Sequence, residues 1–333
     1  MATIRIRDIE AAPGEATFGR IPVGEWGDGS PIEVPIAIVN GRQPGPVFLA
    51  MACLHGDEMV GTHTVSRVVS ELEPGAMSGA FIGVLAANTP AFILGTRVNP
   101  LEHPTGSNDL KRIFETASPS GSLSERIASL VRDEIVPHCE YYADLHSSAI
   151  GSVNYPRAIV AGEYIDAPTE VHEKLNVLAD ACNFEYVFKP SGAAWEGMYF
   201  RPSFPLEEKH QKAGIVLETG YAPTSDGVEE LTDSLQRILA RLGLREGPND
   251  RTLPLTLLER LLAIRATRGG LWHPEVGIGE EVDAGQMLGT ISDVFGETVE
   301  ETFAPAAGVV IKVATSATVS TGVRTHVLGV RYE

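Results

Sequence analysis

Val47-Phe48-Leu49-Ala50-Met51-Ala52-Cys53-Leu54, followed at once by His55-Gly56-Asp57-Glu58, is the stretch on which the reading of this chain turns. Eight apolar residues in a row, with no alternation, mark a strand covered on both faces. From Glu58 to Leu72 the chain has no proline and carries Val60, Val65, Val68, Val69 and Leu72 as a helical stripe. Strand, tight loop and helix in that order are the repeating unit of an α/β domain.

The same alternation runs outward. Residues 1–46 read as short strands broken by Gly and Pro, with Ile32–Val39 strand-like and Asn40-Gly41 a turn. Ala80–Ala87 is a second buried strand. Gly121–Val136 is an amphipathic helix with Ser122 or Ser124 as cap. Tyr141–Leu145 is a strand ending at His146, Thr169–Ala181 a helix, Ile215–Leu217 a strand ending at Glu218, and Gly227–Leu242 a helix. Residues 1–250 therefore predict an α/β domain with a mostly parallel mixed sheet flanked by helices. Residues 247–256 read as a linker. Residues 255–333 are glycine-rich and strand-like, and predict a small all-β barrel or sandwich. Val282-x-x-Gly285 is echoed by Val319-x-x-Gly322, and Ile291 by Leu328, at a constant offset of 37. This half resembles the biotinyl/lipoyl-carrier type of β-domain. In such carriers a lysine sits on an exposed hairpin, but Asp293-Val294-Phe295-Gly296-Glu297-Thr298 has none, so a structural or lid-forming role without biotin or lipoate is expected.

Composition narrows the partners. The chain has 333 residues, 43% of them apolar, and a formal net charge of -18. That field repels phosphate backbones and anionic lipid, so neither nucleic acid nor a membrane is an expected partner. The apolar runs are far shorter than the ~20 residues of a membrane span. Cys53, Cys139 and Cys182 lie far apart, which is neither a disulfide framework nor a zinc-ribbon spacing, so a reducing cytoplasm is the expected compartment.

Chemistry gathers at strand ends, where sites form in open α/β sheets. His55 and Glu58, three apart, can ligate one metal, although about one such pairing is expected by chance in a chain of this composition. His146 and Glu218 each stand at the end of another strand. Three strand ends each carrying a histidine or carboxylate are a far rarer coincidence. Singly, His146 reads as a structural histidine, Glu218 as a capping or salt-bridged carboxylate, and Asp57 as a first-turn residue. Asp144 has the parity to support His146 or to lie in solvent, and Cys53 belongs to the core. His63 falls on another helix face, and His103, His138, His172, His210, His273 and His326 have no partner pattern. A second cluster comprises Asn88-Thr89-Pro90-Ala91-Phe92, Arg97, and Asp109-Leu110-Lys111-Arg112-Ile113-Phe114. Its arginines suit a carboxylate or a solvated loop.

Taken in order, His-Gly-Asp-Glu, Asn-x-Pro-Ala-Phe with its following Arg, Asp-Leu-Lys-Arg-Ile-Phe, Asp-Leu-His and Glu-Thr-Gly resemble the succinylglutamate desuccinylase/aspartoacylase family of the zinc carboxypeptidase clan. The resemblance covers nearly the whole chain. It implies a zinc-carboxypeptidase-like fold and one Zn2+ per chain held by His55, Glu58 and His146. It further implies Glu218 as general base, Arg97 polarising the scissile carbonyl, and Arg112 binding the substrate carboxylate. Where the family usually has Asp-Leu-Asn-Arg this chain has Lys111, which exchanges an amide for a charge at a substrate-binding position. The expected activity is removal of an acyl group from a small N-acyl amino acid. A metallo-carboxypeptidase or small-ester hydrolase is the alternative enzyme and a non-catalytic binding protein the alternative class; a homo-oligomer is left open. Pro190–Pro205, with Trp195, Tyr199, Phe200 and Phe204, reads equally as a pocket wall or lid and as a packed surface loop.

Overall fold

Val47–Ala52 of the apolar run lies at the heart of a mixed sheet, with Cys53 and Leu54 beyond the strand, in a computed structural model that describes residues 2–102, 108–162, 165–190, 210–222 and 224–332. β1 (Ile4–Ile6) and β2 (Ile9–Ala11) form a separate ribbon. β3 (Glu15–Glu25), β4 (Pro31–Asn40), β5 (Gln43–Ala52), β6 (Ser78–Val84), β7 (Tyr141–Ser148), β8 (Ser152–Ile159), β9 (Tyr186–Phe188) and β10 (Ala213–Tyr221) precede residue 250. After it come β11 (Thr256–Arg265), β12 (Gly270–Pro274), β13 (Glu281–Val282), β14 (Met287–Ser292), β15 (Thr298–Phe303), β16 (Gly308–Ala314), β17 (Thr318–Val319) and β18 (Arg324–Arg331). Among the described residues the α-helices are α1 (Val60–Glu71), α2 (Thr89–Leu94), α3 (Leu110–Ile113), α4 (Leu123–Ser129), α5 (Thr169–Ala181) and α6 (Val228–Arg241). None of the described helices is long and apolar enough to cross a membrane.

The sheet is parallel at its centre, over β6-β5-β7-β10, and antiparallel where β4 and β3 extend one side and β8 joins the other. Both faces of the centre are covered, which is why its strands read as unbroken apolar runs. α1, α5 and α6 bury Val65, Val68, Leu175, Leu178, Leu235 and Ile238 against one face. The β1–β2 ribbon, α3 and α4 bury Ile6, Ile9, Leu110 and Ile127 against the other. α1 approaches closely because Gly61 has no side chain; a Cβ there would stand 2.9 Å from that of Leu145. The helix expected over 121–136 starts at a capping box between Ser122 and Glu125, which chooses Ser122 as cap. It then widens into a π turn at Leu130–Ile135 and ends in a 3-10 turn containing Pro137.

The C-terminal strands split between two sheets. β15-β14-β12-β17 form a four-stranded sheet, while β11, β18, β16 and β13 continue the large one, which reaches twelve strands. β16 also pairs with β8, so β8-β9-β11-β18-β16 close into a ring. The ring crosses the boundary drawn at residues 250–255, because β9 pairs with β11 and β8 with β16. The repeat at offset 37 is visible as two turns of one shape, with Gly285 at φ +83° and Gly322 at φ +87°. At such angles glycine is the residue of least strain. The hairpin that would bear a carrier lysine is present between β14 and β15, and its tip is Phe295, 90% exposed.

His326 is fully buried between these layers, its ring edge-on to Trp272 at 5.5 Å between centroids. Burial pushes its pKa down to about 4, with the Val276 backbone acting weakly the other way. A histidine depressed in the folded state binds its proton more readily when unfolded, so its contribution to stability is complete above about pH 6.5 and is lost as pH falls toward 4. The loss reaches about 2 kcal/mol by pH 5. Thermal unfolding at pH 7.5 and pH 5 should show a smaller drop in midpoint for His326→Leu than for the wild type. An equal drop would exclude His326 as the titrating group.

Candidate metal centre

The loop after β5 is held in shape by its own sequence. Cys53 takes a left-handed conformation, φ +52°, which turns the chain sharply off the strand. Its Sγ donates to the Glu58 carbonyl at 3.3 Å and lies 3.1 Å from Thr62 Oγ1. Asn88, in the Asn-Thr-Pro-Ala-Phe stretch, donates to the Leu54 carbonyl at 3.4 Å and caps α2 by accepting from the Ala91 amide. Gly56 is packed on α2 so tightly that a Cβ would meet the Ala91 carbonyl carbon at 2.1 Å, and its amide donates to the Arg97 carbonyl. α1 begins at Val60 rather than at Glu58, because residues 55–58 form a turn, with the Glu58 amide donating to the His55 carbonyl. The turn aims both side chains back over the strand ends.

Three ligand-type side chains meet there. His55 Nδ1 lies 3.0 Å from Glu58 Oε1, and His146 Nδ1 2.5 Å from Glu58 Oε2. One ligand atom from each of His55, Glu58 and His146 falls within 4.8 Å of the other two, and all three residues are buried. The far ring nitrogens are held as well. His55 Nε2 is 3.4 Å from Asp109 Oδ1, and His146 Nε2 is 2.9 Å from Asp144 Oδ2. A carboxylate behind each imidazole fixes its tautomer and leaves Nδ1 as the forward lone pair, the arrangement of histidines that ligate a metal. Two imidazoles and one carboxylate are the donor set of a catalytic zinc site with one position open. The residues present fit a zinc ion.

The charges point the same way. Burial alone would raise the Glu58 carboxyl, but the His55 and His146 rings hold it well below the usual carboxylate range. Burial opposes charging of His146, yet Asp144 behind it together with Glu58 outweighs that and lifts it to about 9. Asp109, pushed up by burial, is brought down to about 2 chiefly by its hydrogen bond to His55. This is a buried nest that draws positive charge toward itself.

Glu218 stands beside the nest. β10 pairs with β7 so that Glu218 is opposite His146, and with β8 so that Glu218 is opposite Arg157. His146, Glu218 and Arg157 thus lie in one row across three strands. Arg157, 1% exposed, donates through Nη2 to Glu218 Oε2, and Asn154 Nδ2 donates to the same oxygen at 3.2 Å. Burial would raise the Glu218 carboxyl; Arg157 first, then His146 and Lys312, keep it ionised and below its usual range. Neither Arg157 nor Asn154 was expected at the site. Their signal was an arginine and an asparagine in Ser152-Val-Asn-Tyr-Pro-Arg-Ala-Ile159, a segment otherwise of strand character.

The second cluster divides. Arg97 Nη1 donates to Glu58 Oε1 at 2.8 Å from a side chain 45% exposed, so it faces the centre from its open side. Arg112, 60% exposed, has Nε 3.5 Å from Asp109 Oδ2. Lys111, expected to bind substrate, instead has its Nζ 3.0 Å from Asp144 Oδ2 and 2.8 Å from His146 Nε2. It neutralises the buried Asp144 behind His146, while Arg112 stays outward beside Asp109. Among the described residues no other histidine joins the cluster. The expected wall or lid at 190–205 lies outside the described residues, apart from Pro190.

Residues 44–242 match the model of the succinylglutamate desuccinylase/aspartoacylase catalytic domain. The chain is 26% identical over 302 residues to the N-alpha-acetyl-L-2,4-diaminobutyric acid deacetylase of Halomonas elongata, covering 86% of this chain and 82% of that one. Its fold is similar to the product-bound Ectoine utilization protein EutE (DoeB) from Ruegeria pomeroyi, with TM-score 0.81, 22% identity and 95% of each chain covered. A succinylglutamate desuccinylase from Silicibacter sp. superposes with TM-score 0.83 at 21% identity, over 99% of this chain and 100% of that one.

The site should take up one divalent metal per chain. His146→Ala should abolish stoichiometric zinc retention after dialysis, measured by elemental analysis, and Lys111→Ala should weaken it by about tenfold or more through loss of support behind the ring. Full stoichiometry and affinity in His146→Ala would remove it from the ligand set.

Proposed function

This chain belongs to the succinylglutamate desuccinylase/aspartoacylase family, and from that premise we propose that it is a zinc-dependent amidohydrolase removing the acyl group from a small N-acylated amino acid or a similar carboxylate-bearing molecule. One observation carries the reading. His55, Glu58 and His146 converge on one point, with Glu218 on the neighbouring strand beside them. The deacetylase from Halomonas elongata, whose name specifies an N-acetyl amino acid, supports the substrate class. The sheet with its flanking helices is in keeping with a zinc-carboxypeptidase-like fold. Three buried, unpaired cysteines agree with a cytoplasmic setting.

His55, Glu58 and His146 would hold the zinc, which when bound supplies Lewis-acid polarisation of the carbonyl and lowers the pKa of water toward neutrality. Glu218 is ionised at neutral pH, as a base must be. Among the described residues both of its hydrogen bonds fall on Oε2, so Oε1 is the oxygen that takes the proton of the attacking water. The same oxygen then passes that proton to the leaving amine nitrogen. Arg97 turns its guanidinium from Glu58 toward the carbonyl oxygen as negative charge develops there, a contact of a kind worth about 3 kcal/mol in the transition state. Arg112, exposed at the mouth and steadied by Asp109, takes the substrate carboxylate.

Glu218→Gln keeps size and hydrogen bonding but cannot accept the proton. It should fold, retain one zinc per chain, bind substrate, and lose at least about two decades of turnover on an N-acetyl amino acid. Loss of the metal in this variant would make Glu218 a ligand, and wild-type turnover would place the base elsewhere.

Arg112→Ala should raise KM for an N-acyl amino acid by about tenfold with kcat nearly unchanged, as expected for a contact equal in ground and transition states. The wild type should correspondingly prefer the free acid over its carboxamide. Equal kcat/KM for acid and carboxamide would refute the carboxylate contact.

A further inference from the structure

Lys312 interrupts the apolar strand Gly308–Ala314 on β16. A lysine in such a strand is costly to bury, and here burial lowers its pKa to about 8. The place it occupies is specific. β16 pairs with β8 so that Lys312 is opposite Asn154, the residue whose amide donates to Glu218. The ladder carries a register shift between Val310 and Lys312 on the side facing β18, the kind of irregularity that re-aims a side chain. The charge that acts most strongly on Lys312 is the Glu218 carboxylate, followed by Arg324, Arg157 and then Glu58. Opposed residues of paired strands share a face, so Lys312 lies beside the Asn154 that reaches Glu218, while Arg157 reaches it within the row from β8.

We propose that Lys312 is a positioning residue for Glu218: with Arg157 it holds the carboxylate in one orientation beside the metal ligands, which makes β16 part of the catalytic apparatus. The inference rests on Glu218 being the base of the proposed reaction. Without Lys312 the carboxylate keeps Arg157 and Asn154 on Oε2 but loses the charge on the β16 side. Rotation about its χ angles then moves Oε1 off the line of proton transfer. Lys312 itself touches neither substrate nor metal in this account, so its loss is felt in kcat and not in KM.

The test uses full-length, zinc-loaded protein and has one readout that does not depend on activity. Lys312→Met, Glu218→Gln and the double variant form a thermal-unfolding cycle. If the two charges are partners, the double variant loses less than the sum of the single variants, by about 2 °C or more. On an N-acetyl amino acid, Lys312→Met should lower kcat about tenfold or more with KM within about twofold, and Lys312→Arg should restore most of it. Zinc content should remain at wild-type level. If Lys312→Met does not fold, Lys312→Gln takes its place in both measurements. Additive melting shifts would overturn the pairing, and a raised KM with unchanged kcat would make Lys312 a substrate contact instead. A wild type that hydrolyses no N-acyl amino acid would refute the proposed function, while the unfolding cycle would still decide whether Lys312 and Glu218 are paired.

Discussion

Three carboxylates are buried side by side at the strand ends, Glu58 at 2% exposure, Asp144 at 0% and Glu218 at 5%. An ionised carboxylate removed from water costs several kcal/mol unless it is paired and hydrogen-bonded. Each is therefore given its own compensation. Glu58 has two imidazoles, Arg97 and the Ser147 amide. Asp144 has Lys111 and His146, and Glu218 has Arg157 and Asn154. The partners come from the loop after β5, from the segment after α2, from β7 and β8, and from α3. The charge constraint thus ties together side chains from several elements. Taking away a partner leaves a buried charge less compensated, which is why Lys111 matters to His146 although it stands behind it.

Register supplies the precision that charge alone lacks. Glu218 is opposite His146 on one side and Arg157 on the other, so the proposed base, a proposed ligand and the arginine that anchors the base are neighbours by backbone pairing. A slip of one residue in either ladder would turn the row to the other face of the sheet. The slip is prevented by the apolar residues that alternate with the row and fill the two cores. Leu217 and Leu145, fully buried, sit on the helix-covered face beneath α1 and α6. The stability of the site is in this sense the stability of the core below it. The close approach of α1 over Gly61 and of α2 over Gly56 sets where the ligand loop can lie.

Much of this was legible in the residues. The unbroken run at 47–54 revealed a strand buried on both faces, and strand-end position brought out His55, Glu58, His146 and Glu218. α5 occupies Thr169–Ala181 as its apolar spacing requires. Other features were hidden for physical reasons. Lys111 and Arg112 are adjacent in sequence, and only the path of α3 shows that one points back to Asp144 while the other faces outward. Arg157 and Lys312 announce themselves as charges in apolar strands, but what they pair with is a matter of sheet order, which local pattern does not encode. The parallel centre and antiparallel flanks have the same origin. A strand's periodicity tells which face is buried and is silent on the direction of its neighbour.

The ring of β8, β9, β11, β18 and β16 follows from one short strand. β9 has three residues and covers the edge of β8 only at Arg157–Ile159. The rest of that edge, Ser152–Asn154, would present open amides and carbonyls directly beside the Asn154 that holds Glu218. Unpaired backbone there would admit water to the carboxylate or invite a foreign strand. β16 fills the gap with Lys312–Ala314, pairing residue for residue with Asn154–Ser152. To reach it, β16 must stand next to β18, and β18 next to β11, which in turn extends β9. The C-terminal strands are thereby committed to the large sheet instead of folding as an isolated sandwich. The segment that resembles a prosthetic-group carrier serves here to finish the edge of the sheet from which Asn154 holds Glu218.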